Sequence, residues 1–194
     1  GESSRHGWET GGTDDKYARW NISKTGSSTN GSDDYRNEMN GMGYIVEMDP
    51  FDKTKAAKKR TALGRFAHES AAFSKAVAGK PLAVYMGDDS RNEYIYKFVS
   101  RDRIAPGGAK ANRELLDHGT LYVARFDADG TGQWLPLVQG QGPLTAAGFA
   151  DQGEVVIKAR QASDALGGTP MDRPEWLAID PHSAWVYCAL THNH

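Results

Sequence analysis

The stretch TPMDRPEWLAIDP, residues 169–181, sets Arg173 and Glu175 on either side of Pro174 at the entry to an apolar run. Proline fixes its own φ and restricts the residue before it, so a cation and a carboxylate arrive at preset angles. In an extended segment, residues two apart share a face, which aims both side chains at one spot. An arginine fork beside oxygen-bound cations is a means of gripping and neutralising a phosphoryl group. Glu69 opens a second apolar segment, HESAAF, and Asp88 and Asp89 close the strand PLAVYMGDD. His192 and Asn193 close VYCALTHN in the same way. Hard cations such as Ca²⁺ collect oxygens of this kind from several strands. Glu69, Glu175 and one of Asp88 or Asp89 are the expected ligand set, with Asn193 as a further rim donor. Two glutamates held close without a cation would raise each other's pKa, and a metal removes that cost. The competing reading is structural: Arg173 pairs with Glu175 or with a neighbouring turn. His68 alternates to the opposite strand face from Glu69 and is expected to be structural as well.

These groups can meet only if the elements carrying them return to one edge. GYIVEMDP reads as a strand stopped by Asp49-Pro50, with RTALGRF as its return partner. PLAVYMGDD and EYIYKFVS form the next pair across a polar turn at Asp88–Asn92. TLYVARFDADGTGQWLPL is a hairpin turning at Asp127–Gly130, and EWLAIDPHSAWVYCALTHN turns at Asp180–Ser183. A short helix is expected at Asn112–Asp117. A better one is expected at about Glu154–Ala165, closed by Gly167-Gly168. Laying HESAAFSKAVAGKPLAVYMGDDS over PEWLAIDPHSAWVYCALTHN gives one pattern, with a glutamate opening the first strand and polar groups closing the second. An antiparallel hairpin puts those two positions at the same edge, so Glu69, Asp88, Asp89, Glu175, His192 and Asn193 should share a rim. Recurring hairpins suggest an all-β fold, a partial β-propeller of about three blades over residues 41–194, with one or two short helices in the connections. Residues 1–40, rich in Gly, Ser, Thr, Asn and Asp and anchored by Trp8 and Trp20, read as a polar loop or arm. A sheet with open ends needs covering, so the remainder of a longer chain or a partner chain is expected to complete the structure.

Composition narrows the classes. With 39% hydrophobic and 25% charged residues and a formal charge of −2, the chain is globular and offers nucleic acid or an anionic membrane no field. No apolar stretch approaches the roughly 20 residues of a membrane span, and no signal peptide is visible. The basic cluster Lys55, Lys58, Lys59 and Arg60 reads as a solvated loop before a strand. The one cysteine, Cys188, excludes an internal disulfide and sits in an apolar run where a buried structural thiol is expected. GQGPLT lacks the third glycine of a dinucleotide fingerprint. DADGTGQWL starts like a calcium loop but has Val138 where the bidentate acid belongs, so a hairpin turn is expected. No G-x-S-x-G elbow is present.

Together, GYIVEMDPFD, KRTALGRFAHES, AVYMGDDSRNEYIYKFVS, LLDHGTLYVARF, GTGQWLPL and TPMDRPEWLAIDP resemble consecutive blocks of the PhoX-type alkaline phosphatases. The likeness runs from about Tyr35 to the C-terminus, whereas residues 1–34 match poorly and read as a variable arm. The resemblance implies a metal-dependent β-propeller hydrolase of phosphate monoesters, carrying Ca²⁺ and Fe³⁺ in its central channel. It implies export through the twin-arginine route to a periplasmic or extracellular location. It assigns Glu69 and Glu175 to metals and Arg173 to the phosphate. The family's iron-ligating cysteine lies in an upstream TPWGTW-type block that is absent here, and Cys188 is no substitute for it. The chain therefore resembles a middle segment, expected to be inactive alone. Two other readings use the same rim: a non-catalytic calcium-binding propeller module, and a calcium-dependent lactonase or phosphotriesterase.

Overall fold

Strands buried on both sides need two covers, and the central sheet of this chain has them. The computed structural model describes residues 25–192; Trp8, Trp20 and Asn193 lie outside them. The chain divides into two compact units, Gly1–Gly43 and Tyr44–His194. In the first, the Asp33 carboxylate accepts the backbone N–H groups of Ser27 and Ser28 at 2.8 and 3.0 Å, and a 3₁₀ turn follows at Glu38–Gly41.

The second unit runs through β1 (Val46–Glu47), β2 (Lys58–Lys59), β3 (His68–Phe73), β4 (Pro81–Asp88), β5 (Arg91–Glu93) and β6 (Ile95–Arg103). There follow α1 (Gly108–Ala111), β7 (Gly119–Phe126), β8 (Gly132–Pro136), α2 (Gln152–Ile157), α3 (Ala159–Leu166), β9 (Met171–Asp172), β10 (Pro174–Ile179) and β11 (Val186–Leu190). Antiparallel pairing joins β3-β4-β6-β7-β8 into one five-stranded sheet. Three two-stranded sheets, β1-β2, β5-β9 and β10-β11, complete the pairing. The all-β expectation holds: antiparallel sheets dominate and the helices are few and short.

Period-two alternation sorts the sheet's side chains between two cores. Val84, Met86, Tyr96, Phe98, Leu121 and Val123 face one way, against Val155, Ala159 and Ala162 of the helices. Ile95 and Ala124 face the other way, where Leu177 of β10 covers them. Tyr85 and Trp134 also lie on this second face, with Lys97 Nζ over both rings at 5.5 and 5.3 Å. Asp151 caps α2 by accepting the Glu154 N–H at 2.8 Å, and Glu154 accepts the N–H of Ala150, the residue before the cap, at 2.7 Å. A break at Lys158 splits the expected single helix in two, and Gly167, at φ 76°, ends the second.

Several local expectations need correction. The return partner of the GYIVEMDP strand is β2, where Val46 faces Lys59. RTALGRF instead forms a 3₁₀ turn at Thr61–Leu63 that buries Leu63. The basic cluster is no solvated loop: two of its residues are β2, and the Arg60 side chain is 2% exposed. Its guanidinium bonds Glu47 at 2.8 Å, Asp117 at 2.5 Å and the Arg113 carbonyl at 2.6 Å. The short helix lies at Gly108–Ala111, ahead of the expected Asn112–Asp117. Asp88–Asn92 is not a simple turn either, because Arg91–Glu93 leaves it to pair with β9. Among the described residues, no helix is long and apolar enough to cross a membrane.

The crossing of β10 over β3 and β4 matters most for the site. These strands are not paired by backbone ladders. Ser70 Oγ joins them, donating to the Glu175 carbonyl and accepting the Leu177 N–H, both at 2.9 Å. Gly87 supplies the clearance, since a Cβ there would lie 2.3 Å from the Pro174 carbonyl oxygen and 2.9 Å from that of Glu175. Backbone cannot yield as a flexible side chain can, so Gly87→Ala should destabilise the protein by roughly 2–3 kcal/mol through overpacking. Chemical denaturation measures the loss; an unchanged midpoint and slope would contradict the close crossing.

Candidate active site at the rim of two hairpins

The two hairpins present the same ends at one edge. His68 stands opposite Asp88 in the β3-β4 pair, and Pro174 stands opposite Leu190 in the β10-β11 pair. The Ser70 bond to Glu175 and the fit of Gly87 under Pro174 bring these ends together. Asp89, Arg173 and Glu175 meet there, Glu69 opens the neighbouring strand β3, Asp88 turns to α3 on the other face of the sheet, and Asn193 lies beyond the described residues.

Arg173 is not in the extended conformation expected for it. Its φ is 56°, in the left-handed region that disfavours any residue with a Cβ. The position explains the conformation. β9 pairs with β5 just before Arg173 and β10 pairs with β11 just after it, so the chain changes sheets at this residue. The turn aims the guanidinium at Asp89, with Nε to Oδ1 and Nη2 to Oδ2 both at 2.9 Å. Nη2 also lies 3.2 Å from Glu175 Oε1, an oxygen that accepts a hydrogen bond from the Thr191 hydroxyl. The pairing of Arg173 with Glu175 weighed from sequence is present, but Asp89 is the closer, two-pronged partner.

The carboxylates differ sharply in setting. Glu69 is exposed, and its carboxylate makes no hydrogen bond or ion pair with the described residues. The Glu175 side chain is 22% exposed and that of Asp89 7%. Asp88 is fully buried, its oxygens 2.7 and 2.6 Å from Nε and Nη2 of Arg160, and Oδ1 also accepts the Ala67 N–H at 3.2 Å. Burial pushes the Asp88 carboxyl up and Arg160 draws it back, while the two bonds raise the pKa of the arginine. With both oxygens engaged, Asp88 ties α3 to the sheet. His68, as expected, is structural: it stacks on Phe66 at 3.7 Å, bonds the Gly64 carbonyl at 3.0 Å, and burial drives its pKa down to about 4.

Arg160 and Glu93 were not singled out from sequence. A signal for Arg160 existed in its place beside Ala159, Ala162 and Ser163 on the buried face of α3. Nothing in the sequence marks Glu93, which lies 67 residues from Arg160 in the chain and 3.4 Å from it in the fold. Cys188 is half-buried against the Ile95–Ala124–Leu177 cluster, and burial pushes its thiol up to about 11.

The rim offers hard oxygen donors and one arginine fork, and no group of three His, Cys, Asp or Glu able to hold a metal occurs among the described residues. Glu69, exposed and without a partner among the described residues, and Glu175, with one oxygen bonded to Thr191, suit a share of a cation's oxygen shell, with other ligands supplied from elsewhere.

Comparison with known proteins gives this geometry a context. The family model described as alkaline phosphatase PhoX matches residues 2–194, so residues 2–34 of the polar stretch fall within the match rather than outside it. A solved structure, Pseudomonas fluorescens PhoX in complex with vanadate, a transition state analogue, matches with a TM-score of 0.77 and 45% sequence identity. The alignment covers 100% of this chain and 35% of that one, so the chain spans about a third of the relative's length. No curated protein matches.

The group around Arg160 carries a pH signature. Glu93 lies 3.4 Å from Arg160, its Oε2 is buried without a hydrogen-bond partner, and its pKa is raised to about 7, chiefly by burial and then by Asp88. The folded state thus binds more protons than the unfolded state between about pH 4.5 and 7. Glu93 therefore withdraws stability as pH rises through that window. Glu93→Gln should raise the unfolding free energy at pH 8 by about 1–3 kcal/mol and give a smaller gain at pH 5. Equal midpoints for both proteins at both pH values would refute the strained carboxylate.

Proposed function

Because the chain belongs to the alkaline phosphatase PhoX family, we propose that it is a segment of a metal-dependent phosphatase hydrolysing phosphate monoesters, with the β3-β4 and β10-β11 rim as part of its active site. The observation that carries this reading is Arg173: its guanidinium is anchored on Asp89 and neighboured by Glu175 at the entry to β10, the strand that crosses β3, which carries the exposed Glu69. The vanadate in the similar structure supports phosphoryl chemistry at the family's site.

Phosphoryl transfer leaves a protein chiefly the tasks of positioning and charge neutralisation. Arg173 is the group of this chain suited to both, donating N–H bonds to two phosphoryl oxygens as charge accumulates there. Glu69 and Glu175 would supply carboxylate oxygens to bound Ca²⁺ and Fe³⁺, and Cys188 is assigned no ligand role. Bound cations would polarise the phosphate oxygens and favour an activated oxygen nucleophile. The remaining ligands and the nucleophile come from other parts of the full-length protein, in keeping with the third of the relative covered here. The exposed Phe51, Phe73, Trp176, Trp185 and Tyr187 support further chain or a partner packing on this unit. Export to the periplasm or cell exterior belongs to the same proposal, and osmotic-shock fractionation of the full-length protein tests it.

Assay of the full-length protein with p-nitrophenyl phosphate, with and without calcium and iron, tests the activity directly. Metal-dependent turnover is expected; tight calcium binding without turnover, or lactone hydrolysis instead, would overturn the phosphatase reading. Glu175→Gln should lower metal content by elemental analysis, and unchanged content would remove Glu175 from the ligand set. Arg173→Ala should raise KM for the ester about tenfold with the metals retained, an effect of lost substrate contact. Unaltered kinetics would refute the clamp.

A further inference from the structure

Asp89 can be given a role of its own. From sequence it stands as one of several rim oxygens open to a cation. In the structure both its oxygens face Arg173, and its side chain is 7% exposed against 40% for the arginine. We propose that Asp89 is the positioning residue of the phosphate-binding arginine, holding the Nε–Nη2 edge of Arg173 so that the opposite, Nη1 side of the guanidinium is oriented to receive the anion. This rests on the assignment of Arg173 to the phosphate made above.

The need for such a residue follows from Arg173 itself. Its backbone is left-handed before a proline, a combination that sterics disfavour. Its long side chain is partly exposed and would lose much rotamer freedom on gripping an anion. A bidentate bond made in advance removes that loss from the binding step, which is how preorganisation gains affinity. Glu175 alone cannot do this, because it reaches only Nη2, at 3.2 Å.

Asp89 is in turn built into the fold rather than lying on a loose corner. Its N–H donates to the Ala67 carbonyl at 3.0 Å, and the Asp88 N–H donates to the Tyr94 carbonyl at 3.1 Å. The preceding carboxylate, Asp88, is fully buried on Arg160 of α3, which also donates to Ser90 Oγ at 3.1 Å. The corner is fixed on both sides, so a carboxylate with only one rotatable bond fewer than glutamate is the right length to meet Arg173. Ala67 belongs to the same network and precedes Glu69 by two residues, so the support that orients the fork also fixes the strand carrying Glu69.

The experiment uses the full-length, metal-loaded protein with inorganic phosphate as the probe. For Asp89→Asn we expect phosphate binding by calorimetry to weaken about tenfold, KM for p-nitrophenyl phosphate to rise by a similar factor, and kcat to stay within about twofold. Metal content should be unchanged. In the Arg173→Ala background, Asp89→Asn should add no further loss, since the pair acts as one unit. Asp89→Glu keeps the charge and shifts the carboxylate by one methylene; it should weaken phosphate several-fold and serves if the asparagine variant does not fold. Unchanged or tighter phosphate binding in a folded variant overturns the proposal. Loss of metal overturns it by making Asp89 a ligand, and an additive loss without Arg173 overturns it by placing Asp89 elsewhere. If Arg173→Ala itself leaves phosphate binding intact, the phosphate clamp fails and this proposal falls with it.

Discussion

Two adjacent aspartates at the end of β4 each hold an arginine brought from a distant part of the chain. Asp88 takes Arg160, 72 residues away, and Asp89 takes Arg173, 84 residues away. Consecutive residues at a strand end point to opposite sides. One aspartate can therefore be wholly buried and the other nearly so, facing different partners. Neither arrangement is tolerable without the other element in place, because a buried carboxylate without its cation is strongly unfavourable. The 88–89 corner thus locks helix α3 and the start of β10 to the sheet.

That lock explains why a strained backbone can persist at Arg173. A left-handed residue before a proline survives only where its surroundings over-determine it. Here the surroundings are the β5-β9 pair on one side, the β10-β11 pair on the other, and Asp89 in front. The crossing of β10 over β4 at Gly87 brings these constraints within reach of one another. Strain and charge are concentrated at the edge where Glu69 and Glu175 emerge, and away from it the molecule is an ordinary two-faced sheet with Tyr96, Phe98 and Leu121 at its centre.

Much of this was readable from sequence, and the reasons are local. The hairpins β4-β6, β7-β8 and β10-β11 were marked by alternation and turn residues. What could not be read depends on long-range partners. Arg60 looked like part of a solvated basic run and is buried, with Glu47 and Asp117 from separate parts of the chain paired to it. The extended conformation assigned to Arg173 failed because the residue ends one sheet pairing and begins another, which no local pattern records. Arg160 and Glu93 became visible only once β5 and α3 were folded against each other. The family blocks identified the ligand candidates without saying which carboxylates are spent on internal ion pairs.

A crystal structure of the full-length protein with bound inorganic phosphate tests the central claim most directly. The expected result is an anion within hydrogen-bonding distance of the Arg173 guanidinium, cations coordinated by Glu69 and Glu175, and Asp89 still bonded to the arginine. An anion bound elsewhere, with Arg173 turned to solvent and the two glutamates free of metal, would contradict the account.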